Sequence, residues 1–297
     1  MPGLNLTREE ATERASIISS VTRYEISLDL TRGDTDFGSF TRIEFDAREG
    51  ASTFADLVSN NVHSITLNGN TLDPFSVHQD NRIALENLAE HNVLEVEASC
   101  QYMHTGEGLH RFVDPADGQA YTYSQFEVPD ARRVYTTFEQ PDLKAVFNFR
   151  ITAPKDWVVS SNAVLESQVT DPSDDSVSKR VFAPTAKIST YITAILAGEY
   201  FTATTTYKPK SKVNSGDIPL VAYCRQSLKP HFDYDHIFKV TENGLDFFQD
   251  LFDYPYPYPK YEQAFVPEYN IGAMENPGLV TFTEDYIFVS GATEDDL

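Results

Sequence analysis

The sequence predicts a mainly β protein: an antiparallel β-sandwich or curved sheet up to about Tyr200, then a second β region containing one helix. Three observations carry this. Apolar and polar residues alternate with period two in stretch after stretch. Turn signals built on Gly, Asn, Asp and Pro separate those stretches. Only one segment has clear helical spacing. At 297 residues the chain is long for a single core, so two domains are expected, 1–200 and 201–297.

Thr7 to Ser16 reads as a short polar helix or arm. From Val21 the period changes to two. Tyr24, Ile26, Leu28 and Leu30 alternate with Glu25, Ser27 and Asp29. Thr41, Ile43 and Phe45 repeat the rule, as do Leu94, Val96, Ala98, Cys100 and Tyr102, and later Ala145, Phe147, Phe149 and Ile151. Each run predicts a strand with one buried face. Arg32-Gly33-Asp34, Asn68-Gly69 and Asp171-Pro172 supply turns. The character shifts after Ala197-Gly198-Glu199-Tyr200, and Lys208 to Gly216 is a basic, turn-rich loop.

The helix follows. Ile237, Val240, Gly244, Phe247, Phe248, Leu251 and Phe252 fall at three- and four-residue spacing, and Asp233 or Asp235 can cap the start. Tyr254-Pro-Tyr-Pro-Tyr-Pro259 stops it, because proline has no N–H and disfavours helix in the residue before it. The same alternation fits a polyproline II ligand, but a stiff connector is the simpler reading. Leu279 to Val289 reads as strand-like, and Ser290 to Leu297 ends the sequence soon after. The expectation is a piece of a longer protein, with apolar surface exposed after Tyr200.

A net charge of −22 argues against nucleic acid and against anionic membranes as partners, and suits cationic ligands. Cys100 and Cys224 fit neither a disulfide framework nor a C-x-x-C site. The first residues contain no basic stretch leading into an apolar core, and no apolar run is long enough for a transmembrane helix. The expected location is cytoplasmic.

Two motifs carry chemistry. Gly272-Ala273-Met274-Glu275-Asn276 lies between aromatic and β-branched segments. A glycine admits close approach of another backbone, an extended segment can accept a peptide as an added strand, and Glu275 offers a carboxylate. Gln125-Phe126-Glu127 reads as a strand, on which residues two apart would share a face. Taken alone, the first motif also fits a polar turn. The second also fits an exposed strand with a salt bridge to Arg132 or Arg133.

Together, and in this order, the motifs resemble the signatures of the M1 zinc aminopeptidases, the aminopeptidase N family. Phe138-Glu-Gln-Pro-Asp142 continues the likeness, as do Gly106 to Asp114, Ser189 to Tyr200 and Asp253 to Pro257. The likeness covers nearly the whole chain and is greatest to actinobacterial-type members. It implies a saddle-shaped N-terminal β domain followed by the opening part of a thermolysin-like catalytic domain. It also implies that Glu127 and Glu275 grip the α-ammonium of a peptide with a free N-terminus. Gln125 would then meet the first residue, and Gly272, Ala273, Met274 and Asn276 would bind substrate backbone. Ile271 stands where some members have Met, which bears on the side chains accepted.

A peptide entering mid-chain would leave two carboxylates without a cation. In a dry cleft that costs about 3–5 kcal/mol, roughly a thousandfold. The family's Zn²⁺ is held by an H-E-x-x-H helix and a later glutamate, and that motif is missing from this sequence. None of the seven histidines has such a neighbourhood; His231 and His236 are five apart, and His104 and His110 flank a loop as ordinary polar residues. The expectation is therefore no catalytic residue and no metal ligand in this chain, and no hydrolysis by it alone. Two other readings exist. An epoxide hydrolase resembling leukotriene A4 hydrolase is disfavoured by Glu127, where that branch tends to have Gln. A non-catalytic M1-like scaffold is disfavoured by the intact Gly272–Asn276 motif.

Overall fold

Thr7 closes a capping box at the start of helix Arg8–Ile17: its hydroxyl accepts from the Glu10 N–H, and the Glu10 carboxylate accepts from the Thr7 N–H. The helix leads directly into strand Ile18–Asp29, where the period-two pattern begins. A computed structural model describes residues 5–59, 61–213 and 216–290. Asn214, Ser215 and the final residues 291–297, on which parts of the loop and chain-end readings fall, lie outside the described residues.

Among the described residues the strands form sheets of eight, four, five and three. The eight-stranded sheet runs Leu165–Asp171, Asp174–Phe182, Val146–Pro154, Ile18–Asp29, Asp36–Ala47, His91–Gln101, Asn61–Leu67, Asn70–Leu72. Its alternation is as the sequence has it: Tyr24, Ile26, Leu28, Ile43, Phe45, Leu94, Val96, Phe147 and Phe149 are all buried. Asn68 and Gly69, both at positive φ, make the predicted hairpin turn. The sheet is not wholly antiparallel, however. Ile18–Asp29 and Val146–Pro154 pair in parallel, Tyr24 opposite Phe147. Period two fixes which face a residue takes but not which partner a strand chooses.

The four-stranded sheet runs Val158–Ser161, Ile195–Gly198, Ala120–Gln125, Gly108–Val113. The five-stranded sheet runs Phe201–Tyr207, Ile218–Cys224, Tyr261–Val266, Leu279–Thr283, Ala273–Met274. The strand-like run from Leu279 thus stops at Thr283 and passes into a 3-10 turn, Glu284–Tyr286. One apolar cluster joins these two sheets: Tyr121, Tyr123, Leu196 and Tyr200 from one side, and Tyr223, Ala264, Val266, Tyr269, Met274 and Leu279 from the other.

Polar ties cross the same seam. Arg225 pairs with Asp114 at 2.6 Å and with Glu284 at 2.8 Å. The buried Lys260 ammonium donates to the Ser161 carbonyl at 2.6 Å and to Ser160 Oγ at 3.0 Å, and pairs with Glu262 at 3.0 Å. Burial pushes its pKa down, and Glu262 opposes that shift.

Helix Tyr234–Phe252 is capped by Asp233, which accepts from the His236 N–H, and ends at Asp253 in the left-handed region. Its apolar stripe is real, but little of it is covered. Phe238 is buried, whereas Val240, Phe247, Phe248, Leu251 and Phe252 are each more than half exposed. Val240, Phe248 and Phe252 border a groove of about 1060 Å³ that also takes in Phe265, Phe282 and Ile287.

Candidate functional site

The Gly272–Asn276 motif forms an edge. Ala273–Met274 is the last strand of the five-stranded sheet, paired on one side with Leu279–Thr283: Ala273 opposite Phe282 and Met274 opposite Thr281. The Thr283 N–H donates to the Gly272 carbonyl at 3.0 Å. Met274 and Asn276 point inward and are buried; Gly272, Ala273 and Glu275 are exposed. A side chain at Gly272 would lie 2.9 Å from the Tyr286 hydroxyl, so the absence of Cβ has a local use.

The second motif departs from its predicted form. Strand Ala120–Gln125 ends at Gln125. The Asp130 N–H then bonds the Phe126 carbonyl at 3.2 Å, and Glu127 rides on the turn, exposed. Gln125 and Glu127 therefore do not share a strand face. Gln125 is buried, and its Oε1 is an acceptor without a hydrogen-bond partner. Such an orphan is costly and uncommon. Neither arginine forms the expected salt bridge to Glu127: Arg133 binds Asp130 and Glu107 instead. The Arg132 guanidinium donates to the Pro129 carbonyl and to Asn5, while its backbone N–H donates to Glu139 at 2.7 Å.

What brings the two motifs together is the aromatic seam between the sheets. Tyr123, two residues before Gln125, meets Tyr269 edge-to-face at 5.4 Å. The Tyr269 hydroxyl shares a 2.7 Å hydrogen bond with Thr281 Oγ1 on the strand that pairs with Met274. Burial raises the Tyr269 phenol to about 12; the Thr281 bond opposes this, and the charges of Glu127 and Glu275 both add to it. Two carboxylates 148 positions apart in the sequence thus act on one phenol, Glu127 from the turn after Ala120–Gln125 and Glu275 from just past Ala273–Met274.

Sequence reasoning missed Tyr269, Glu268 and the burial of His110. His110 is fully buried, stacked on Tyr123 at 4.9 Å, with Nε2 3.1 Å from Glu268 Oε2. The Gly106-x-Gly108 spacing was a usable signal, since both glycines take positive φ to turn the chain tightly before this strand. Nothing in the sequence marks Glu268. Among the described residues, no three His, Cys, Asp or Glu side chains gather into a set able to hold a metal ion.

The Peptidase M1 N-terminal domain matches residues 22–192, and the Peptidase family M1 domain matches residues 236–296. The chain belongs to the M1 peptidase family. It is similar to the aminopeptidase N of Streptomyces lividans, 51% identical over 99% of this chain and 33% of that protein. It is 36% identical to human aminopeptidase N over 54% of this chain and 16% of the relative. It is 28% identical to the tricorn protease-interacting factor F2 of Thermoplasma acidophilum, over 89% of this chain and 31% of the relative. The chain thus spans a third or less of each relative's length. The family is one of zinc aminopeptidases, and its mainly β M1 N-terminal domain, followed by the start of a catalytic domain with one helix, is what the fold displays.

Proposed function

We propose that this chain forms the part of an M1 aminopeptidase that grips the free N-terminus of a peptide. Glu127 and Glu275 hold the α-ammonium, Gln125 meets the first residue, and the Gly272–Asn276 edge receives the peptide backbone as an added strand. The observation that carries the reading is the seam that links the two motifs: Tyr123 packs on Tyr269 at 5.4 Å, and Tyr269 bonds Thr281 on the strand paired with Met274, while the charges of Glu127 and Glu275 both raise the Tyr269 pKa. Two further features support it. The Ala273–Met274 strand has its outer edge unpaired among the described residues. The orphaned Gln125 Oε1 offers a buried acceptor for an N–H donor.

The chemistry is recognition of charge. A protonated amine between two carboxylates makes charge-assisted hydrogen bonds, whereas an internal amide brings one weak donor and no charge. Both glutamates are exposed among the described residues, so the cost expected for a dry cleft is too large here. Charge-assisted bonds of about 1.5–3 kcal/mol give a preference of roughly ten- to a hundredfold for free over blocked N-termini. Hydrolysis and its zinc belong, on this proposal, to residues other than those described. A cytoplasmic setting is part of the same proposal, and two buried free thiols are compatible with it.

The test is titration of this chain with a short peptide and with its N-acetylated form, followed by the amide signals of residues 273–275. The free-amine peptide should bind at least tenfold more tightly, and E127Q or E275Q should each remove most of that preference. Equal binding of the two peptides would refute the proposal.

A further inference from the structure

We propose that His110 is a positioning residue for the Gly272–Asn276 strand, acting as a neutral imidazole whose two ring nitrogens tie the four-stranded sheet to the loop entering that strand. The importance of the strand rests on the proposed function; the tie itself does not.

The hydrogen bonds assign the tautomer. The Gly106 N–H points at His110 Nδ1 at 2.9 Å. A backbone N–H can only donate, so Nδ1 carries a lone pair. The proton of the neutral ring then sits on Nε2 and is donated to Glu268 Oε2 at 3.1 Å. Glu268 is held a second time, since its carbonyl accepts from the Tyr123 hydroxyl at 3.2 Å. It has φ +52, the left-handed region that a residue with a long side chain seldom takes without support.

The next residues are pinned in turn. Tyr269 packs on Tyr123, and Asn270 Nδ2 donates to the Thr105 carbonyl. Gly106, at φ +77, leaves the space into which Asn270 fits: a Cβ there would lie 2.4 Å from Asn270 Nδ2. Residues 105–110 and 268–270 therefore interlock immediately before Gly272. The four-stranded sheet, which also carries Gln125, thereby sets where the edge strand begins.

Protonation would break this tie. A proton on Nδ1 would face the Gly106 N–H, donor against donor. Three titratable groups face the ring: Glu268 from the entering loop, His104 from the preceding loop, and Tyr123 from the neighbouring strand. Burial holds the His110 pKa below the ordinary histidine value, Glu268 opposes the shift and His104 assists it. The neutral ring is thus the resting form at neutral pH, and acid should release the strand.

The experiment uses the whole 297-residue chain. Nitrogen NMR of His110 should report Nε2–H with an unprotonated Nδ1 at neutral pH; the opposite tautomer would overturn the proposal. Exchange protection of the Thr283 amide, which bonds Gly272, reports on the strand's placement. His110→Phe keeps the ring on Tyr123 but loses both hydrogen bonds, and should lower that protection roughly tenfold. If H110F does not fold, Glu268→Ala serves instead, because the Glu268 side chain is half exposed. Glu268→Gln keeps an acceptor for Nε2–H and should restore wild-type protection. In wild type the protection should fall as the pH falls through the His110 transition, and in H110F it should not. Unchanged Thr283 protection in E268A, or a pH dependence surviving in H110F, would overturn the proposal. Should protection behave as stated while free-amine and acetylated peptides bind alike, the tie stands and the ammonium-site reading fails.

Discussion

Gly278 tests whether the edge strand depends on close approach between the two sheets. It follows the motif by two residues, has φ +76, and would place a Cβ 2.1 Å from the Asn162 carbonyl oxygen. Gly118 is a matched control, with φ +72 and nothing within 4 Å of where a Cβ would stand. Alanine in the left-handed region costs about 1–2 kcal/mol at either position. Only at Gly278 must backbone also give way, adding about 1–3 kcal/mol.

The displaced residue is well tied. Asn162 Nδ2 donates to the Ile192 and Pro277 carbonyls, both at 2.9 Å, and its Oδ1 accepts from the Ala194 N–H at 2.8 Å. Gly278→Ala should therefore destabilise by about 2–5 kcal/mol and Gly118→Ala by about 1–2. Against a usual total of about 5–15 kcal/mol, that difference is readable by urea denaturation of the two variants side by side. Equal losses would mean that the inter-sheet contact carries no stability, and close approach would not be what holds the edge strand.

Three other outcomes follow from the packing. Glu139 is fully enclosed; burial raises its pKa from 4.5 to about 7, with the Arg132 N–H opposing and Asp56 assisting. Between those pH values the unfolded chain gives up this proton first, so stability should fall by up to about 3 kcal/mol as pH rises from 4.5 to 7, then level off. Glu139→Gln can still accept from Arg132 and donate to Thr190, and should flatten that slope in denaturation curves taken at several pH values; an unchanged slope would rule Glu139 out as its source. Lys260→Met strands the Glu262 carboxylate and should cost about 3–5 kcal/mol by urea melt, partly recovered by adding Glu262→Gln; no recovery would contradict the pairing. Replacing Phe248 and Leu251 with Ser should raise the monomer fraction in sedimentation velocity, because both lie exposed on the uncovered helix face; unchanged association would clear that face.

Faces were legible in the sequence where partners were not. Alternation placed Tyr24, Ile43, Leu94 and Phe147 inside because strand geometry is local. It could not show Arg23 opposite Val146, since a parallel pairing across that separation leaves no mark on either segment. Helical spacing likewise found Tyr234–Phe252 and its stripe, but burial of a stripe depends on what covers it. Glu127 was misplaced for a different reason. Period two was carried two residues too far, past Gln125 to Glu127, although Pro129, two positions after Glu127, already argued against a continuing strand.

The turn after Gln125 matters to the site. Were Gln125 and Glu127 on one strand face, both would point into the aromatic seam, and a carboxylate would be buried beside Tyr123 and Tyr269. Desolvation would oppose its charge, as it does at the enclosed Glu139. The turn separates the two roles. Gln125, neutral, stays inside as an orphan acceptor, while Glu127 swings out to meet solvent. Glu275, just past the edge strand, is likewise exposed, between the buried Met274 and Asn276. Both carboxylates are therefore anchored by buried neighbours yet hydrated themselves, an arrangement that holds charge ready without the penalty of enclosing it. Exchanging the turn for continued strand, by Pro129→Val together with Asp130→Thr, should weaken free-amine peptide binding even with both glutamates present; retained binding would show that the turn is incidental.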